Sequence, residues 1–149
     1  MNDPIAFARA LADPTRWRII HLVFDRALCV CELADVLKLP QSTLSSHLRV
    51  IQAAGMLDCE RREKWLFYRV KPDFLPPLRA LFDHFETRPD TVPALARDAR
   101  KAVTRVTKRE ENCCPAPTKP ACGRSGRWTY RSPPIARPST RARRAGRAA

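Results

Sequence analysis

Six cysteines carry the most distinctive chemistry in this chain, and five of them fall into two groups. Cys29 and Cys31 flank a single valine in "LCVCEL", and Cys113, Cys114 and Cys122 occur together in "NCCPAPTKPAC". Thiolates are soft ligands that select soft or borderline ions. Two sulfurs bound to one zinc-sized centre at about 2.3 Å each lie no more than about 4.6 Å apart. In an α-helix, residues i and i+2 differ by about 200° around the axis. Cys29 and Cys31 can therefore share one ion only where the chain is extended or the helix start unwinds. Adjacent cysteines such as Cys113 and Cys114 form a disulfide only with strain, so they read as thiolate ligands or redox thiols. The bland alternative for Cys-x-Cys is a pair of packed small apolar residues, since free cysteine is often buried. Cys59, between Asp58 and Glu60, reads as structural.

The 149 residues are enough for one domain with a remainder. Lys plus Arg is 28 and Asp plus Glu is 15, a net charge of +13. That balance points to a polyanionic partner, most simply nucleic acid. The charge is uneven: residues 1–89 hold 13 basic and 11 acidic side chains, residues 90–149 hold 15 and 4. From Cys113 onward Arg, Ser, Pro and Ala dominate. A segment that cannot bury apolar area cannot offset its ordering entropy, so 113–149 reads as a disordered basic tail, and a nonspecific DNA-affinity arm is its functional reading. No stretch approaches the roughly 18 apolar residues of a membrane span. The start "MNDPIAFARA" lacks the pattern of a secretory leader. A cytoplasmic protein with reduced thiols and no membrane partner is expected. With four glycines, and no Ser-His-Asp set, carboxylate pair or phosphate loop in view, an enzyme is not expected.

The apolar spacing predicts the elements that must position the thiols. A short helix covers Ile5 to Leu11. A second starts at Asp13 as N-cap and Pro14 at the first helical position, with Trp17, Ile20, Val23 and Phe24 toward the core. "LCVCELADVLKL" reads as a third helix, burying Leu33, Val36 and Leu37, and Pro40 punctuates it. "QSTLSSHLRVIQAAG" is a fourth, with Leu44, Leu48 and Ile51 buried and Gly55 ending it. Two helices joined by so short a turn form a helix-turn-helix pattern, the second helix entering the major groove. Gln41, Ser42, Thr43, Ser45, Ser46, His47 and Arg49 are its candidate DNA-contacting residues. "MLDCERR" and "WLFYRV" then read as a hairpin around Glu63-Lys64, a wing whose Arg62 and Lys64 would lie against phosphates. Arg61 and Arg69 add to its charge. "KPDFLPPLRALFDHFE" is helical at least from Pro77, with a stripe of Leu78, Leu81, Phe82 and Phe85 available to a second subunit. Residues 93–107 form a weaker helix through Leu95, Ala99, Ala102 or Val103, and Val106. Asp83, His84 and Glu86 read as a solvated helix face. The fold class is mainly α with a small β-hairpin. A domain at 1–89 is followed by a helical extension at 90–112 and the tail at 113–149.

In order, "ALADPTRWRIIHLV", "LCVCELADVL", "QSTLSSHLRVIQAAGML" and "EKWLFYRV" resemble the ArsR/SmtB family of bacterial metal-sensing winged-helix repressors over roughly residues 5–87. The resemblance implies a homodimer on operator DNA, released when a metal binds. "LCVCEL" is similar to the arsenite-sensing branch, which implies ligand roles for Cys29 and Cys31 and trivalent arsenic or antimony as inducer. Many members of that branch have a third cysteine where this chain has Ala34, and often a turn glycine where it has Glu63. A third thiolate could come from Cys113, Cys114 or Cys122, or those three could form a separate site. Zinc, cadmium or lead, thiol oxidation, or a thiol-rich metal-binding role are the alternatives.

Overall fold

Two aspartate–proline pairs set the beginning of the chain. A computed structural model describes residues 3–109. Helix α1 (Pro4–Leu11) starts where the Asp3 carboxylate accepts the Ile5 N–H at 2.9 Å. Helix α2 (Pro14–Val23) starts the same way, with Asp13 accepting the Arg16 N–H at 2.9 Å. Proline suits the first helical position because its missing N–H would have had no partner there. The Arg16 N–H, aided by the Arg16 and His47 side chains, holds the Asp13 carboxyl below the ordinary carboxylate range.

Strand β1 (Leu28–Cys29) leads directly into α3 (Val30–Leu37), and α4 (Gln41–Ala53) follows a short turn. Leu33 and Val36 of α3 and Leu44, Leu48 and Ile51 of α4 meet Ile19, Ile20 and Val23 of α2 in the core. Gly55 follows α4 at φ 74°, a left-handed conformation that costs a glycine little. The hairpin is β2 (Leu57–Arg62) and β3 (Trp65–Val70), in register from Leu57↔Val70 to Arg62↔Trp65. Its turn is made by Glu63 at φ 52°, where a glycine would be unstrained.

The expected two-stranded hairpin is in fact a three-stranded antiparallel sheet in the order β1-β3-β2. Leu28 pairs with Tyr68 and Cys29 with Phe67. Leu28 and Cys29 thus leave the helix expected for "LCVCELADVLKL". Two residues are too few to show a strand period.

A 3-10 turn (Pro72–Phe74) precedes α5 (Leu75–His84), which starts two residues earlier than Pro77. Pro76 and Pro77 fall in its first turn, as their missing N–H groups require. The apolar stripe of α5 is divided: Leu78 and Phe82 are buried in the chain's own core, while Phe85 is 62% exposed. Leu78 and Phe82 are therefore not free for a second subunit.

Helix α6 (Pro93–Thr107) packs on α2 and α3, with Leu95 and Ala102 buried. Ion pairs tie it down. Arg18 holds Asp98 through two bonds of 2.7 and 2.9 Å, and Arg105 reaches Asp35 at 2.8 Å. Among the described residues no helix is long and apolar enough to cross a membrane. Cys113, Cys114, Cys122 and the tail lie outside the described residues.

Candidate functional site

Helix α4 offers a polar face toward solvent. Gln41, Ser42, Thr43, Ser46 and Arg49 are exposed, opposite the buried Leu44, Leu48 and Ile51. Its N-cap is Pro40, with no side-chain cap, so the N–H groups of the first turn point outward without a capping acceptor. Such a terminus attracts phosphate oxygens. Two expected contacts are placed less openly. His47 is half-buried with Nδ1 3.7 Å from Asp13, which ties α4 to the start of α2. Ser45 is half-buried and faces inward to a cleft described below. On the hairpin, Lys64 is exposed and lies over the Trp65 ring at 4.6 Å, and Arg62 is half-buried. Arg61 donates to the Glu63 carbonyl at 3.2 Å. Arg69 pairs with Asp58 at 3.7 Å, away from the hairpin tip.

Cys29 is buried, with backbone φ −85° and ψ 166°, and is the N-cap of α3. Glu32 completes a capping box: its carboxylate accepts the Cys29 N–H at 2.9 Å, and its own N–H faces the Cys29 sulfur. An N-cap side chain folds over the first helical turn, where Cys31 stands. The two sulfurs are accordingly 2.6 Å apart, within the limit for sharing one centre. Of the two ways for the pair to meet, an extended chain or an unwound helix start, the structure has the first: the extended N-cap brings them together with α3 intact. Burial, together with the adjacent Cys31 thiol, pushes the Cys29 thiol far above the ordinary cysteine range.

Glu32 is fully buried, and its counter-charge is Arg109. The guanidinium donates to Glu32 at 2.6 and 3.1 Å and to the Ala27 carbonyl, and lies 5.4 Å over the Phe67 ring. Phe67 packs with Cys29, and Cys31 and Trp65 border that cluster. A cleft of about 470 Å³ joins Cys29, Val30 and Cys31 to Gln41 and Ser45 of α4 and to Lys64, Trp65 and Leu66 of the hairpin. The thiol pair, the first turn of α4 and the hairpin tip thus line one space.

This arrangement has known counterparts. The pattern that defines the bacterial regulatory protein arsR family matches residues 13–58. An HTH-type transcriptional regulator of Methanocaldococcus jannaschii is 36% identical over 76 residues, half of this chain and 85% of that protein. The chain belongs to the ArsR family. The arsenic resistance transcriptional regulator ArsR1 of Pseudomonas putida is 40% identical over 74 residues, 49% of this chain and 57% of that one. The ArsR-family fold also appears in HlyU from Vibrio cholerae, at a TM-score of 0.51 and 25% identity over 55% of this chain and 90% of that one. The M. jannaschii and P. putida relatives are transcriptional regulators. The chain is accordingly a winged helix-turn-helix DNA-binding regulator, not an enzyme.

Within this ArsR-family chain, Cys59 is half-buried across the hairpin from Tyr68, and burial raises its thiol. Asp83, His84 and Glu86 are exposed. Ala34, where a third cysteine stands in many arsenite sensors, is half-buried one turn beyond Cys31. Among the described residues no group of three His, Cys, Asp or Glu side chains is placed to hold a metal ion. Three residues of the site escaped the sequence reading: Glu32, Trp65 and Arg109. Glu32 had a signal, since it stands three residues after an N-cap, the spacing of a capping box. Arg109 had none, being 77 residues from its partner.

Proposed function

We propose that this regulator is a metalloid-responsive repressor. It binds operator DNA as a homodimer in the cytoplasm and is released when trivalent arsenic or antimony joins Cys29 and Cys31. The observation that carries the reading is the 2.6 Å sulfur pair in a cleft whose other walls are α4 and the hairpin tip. Gln41, Ser42, Thr43, Ser45, Ser46, His47 and Arg49 read or flank the major groove, and Arg62 and Lys64 approach the backbone. An inducer between the sulfurs lies against Gln41, Ser45 and Lys64 and so disturbs their setting. Exposed Ile5 on α1 and Phe85 just past α5 supply apolar surface for a second copy.

The chemistry of Cys29 favours a metalloid over a divalent cation. Cys29 is 1% exposed, so a free thiolate there is costly. Arsenous acid condenses with thiols: each new As–S bond takes a thiol proton away with a hydroxyl as water, and the product is neutral. A divalent cation needs thiolates.

A third thiolate falls to the chain after Arg109. Arg109 is anchored beside Cys29 through Glu32, and Cys113 and Cys114 follow it by four and five residues. Four residues span at most about 14 Å. Cys122 is eight residues beyond Cys114 and fits a separate tail site with the other two as well.

The test is fluorescence anisotropy of labelled DNA from upstream of the protein's own gene, at fixed reductant. Arsenite is expected to release it, with zinc and cadmium far less effective, and Cys29→Ser or Cys31→Ser is expected to bind DNA without release. Normal release in both variants would remove the pair from the mechanism. Release by cadmium at lower dose, or by peroxide alone, would replace the inducer.

A further inference from the structure

Helix α6 carries two opposed stripes. Leu95, Asp98 and Ala102 are buried against α2 and α3, and Arg109 just past the helix is buried too. Arg97, Arg100 and Lys101 are exposed on the other side, continued by Lys108 at the C-cap. Where α6 crosses the end of α3 the exposed stripe borders a groove of about 360 Å³. Among the described residues its lining includes Lys38, Arg100, Lys101, Arg105 and Lys108, and one carboxylate, Asp35, which Arg105 holds at 2.8 Å.

Lys38 sits in the helix-turn-helix turn, three residues before α4. It is the C-cap of α3 at φ 57° and ψ 44°. A left-handed conformation costs a residue with a Cβ about 1 kcal/mol or more, which glycine would avoid. The position keeps a cation at that cost. A cluster of like charges at one groove raises a positive potential that an anion relieves.

We propose that the α3–α6 groove is a second phosphate-contacting surface, binding the DNA backbone flanking the segment read by α4. Lys38, Arg100 and Lys101 are its main contacts. Charge complementarity selects this occupant. The chain's own residues 110–149 are strongly basic, with Glu110 and Glu111 their only acids, and a second copy carries the same +13. A phosphate run three residues from α4 is the polyanion this regulator already meets. The inference rests on DNA binding and not on the identity of the inducer.

The test uses the full chain with Arg100→Gln/Lys101→Gln, and separately Lys38→Gln. Anisotropy is followed on two duplexes, one from upstream of its own gene and one of random sequence, over a salt series. Each lost phosphate contact removes about 0.9 from the slope of log affinity against log salt. Losing two removes about 1.8, which corresponds to roughly 30-fold at 0.15 M salt relative to 1 M. The expected result is that loss on both duplexes, with an unchanged circular dichroism spectrum and an unchanged arsenite affinity of the DNA-free protein. Lys38→Gln is expected to remove about half of the slope change, and it stands as the second variant should the pair fail to fold. Unchanged affinity and slope in both variants overturns the proposal, as does weaker binding with no change in slope. A wild-type protein that binds DNA but ignores arsenite removes the metalloid reading and leaves this surface standing.

Discussion

Arg109→Met is expected to destabilise the domain by about 3–5 kcal/mol, the usual cost of stripping one partner from a buried ion pair. Glu32 is fully buried and Arg109 is 8% exposed, so water does not replace the lost guanidinium. The substitution removes the bonds at 2.6 and 3.1 Å to Glu32 and the bond to the Ala27 carbonyl. Methionine keeps much of the length and can still cover Phe67. Glu32 is left with the Cys29 N–H at 2.9 Å. For a domain of this size each kcal/mol moves the melting temperature by about 4–8 °C, so a fall of at least about 12 °C is expected. Glu32→Gln in the same background removes the stranded charge while keeping a carbonyl for the Cys29 N–H. The double variant is therefore expected to recover part of the loss, on the order of 1–2 kcal/mol. Urea denaturation followed by circular dichroism on all four corners of the cycle measures both numbers. If Arg109→Met stays within about 1 kcal/mol of the parent, or the double variant is no more stable than Arg109→Met, the pair is not the desolvated clamp described above.

Other outcomes follow from single sites. His21 is stacked on Phe82 at 3.8 Å, its Nε2 is buried without a partner, and burial lowers its pKa from 6.5 to about 4. Asp25, Arg79, Asp83 and Arg88 line the same cavity. The unfolded chain takes up a proton that the native imidazole refuses, so stability is expected to fall as pH drops below 6.5. The loss reaches about 3 kcal/mol near pH 4, and the difference between wild type and His21→Phe across this window isolates it. Glu63→Gly is expected to stabilise the hairpin by about 0.5–1 kcal/mol in thermal melts, because Glu63 sits at φ 52°. Leu44→Ala, at a fully buried position on α4, is expected to cost about 2–5 kcal/mol by denaturation while leaving the polar face of the helix unchanged in sequence.

Much of this fold was legible because its helices announce themselves locally. Asp13 and Pro14 start α2, Gly55 ends α4, and Leu44, Leu48 and Ile51 fix which face of α4 is buried. Even the range 93–107 for α6 could be read from apolar spacing. What failed was non-local. Strand β1 exists only because β3, almost 40 residues later, pairs with it, and two residues hold no period of their own. The division of the α5 stripe was hidden because Leu78 and Phe82 could equally have faced a second subunit. Arg109 and Glu32 are charged residues that the core admits only as a pair, and neither side chain alone predicts its burial. The thiol site was half legible: the cysteines were visible, but which of extended chain or unwound helix brings them together is decided by the pairing of Cys29 with Phe67, far along the chain.

The extended cap bears on how the proposed switch would work. If α3 had to unwind for the sulfurs to meet, the inducer would have to supply the energy of breaking a helix turn before releasing DNA. With Cys29 already extended and the two sulfurs adjacent, no helix turn has to break between the free site and the loaded one. In the proposed switch the coupling would then come from differences in the cleft walls, which Gln41 and Ser45 of α4 and Lys64 of the hairpin share with the thiols. A release of about 150-fold needs about 3 kcal/mol of differential affinity between the two states. Displacing one charge-assisted phosphate contact at Lys64 and misaligning one base contact at Gln41 would together supply about that much. The reciprocal also holds: operator DNA must weaken inducer binding by the same factor. A coupling measured from arsenite affinity with and without DNA should therefore equal the one measured from DNA affinity with and without arsenite. It should fall in Lys64→Ala, whereas a switch that ran through unwinding of α3 would not depend on that side chain.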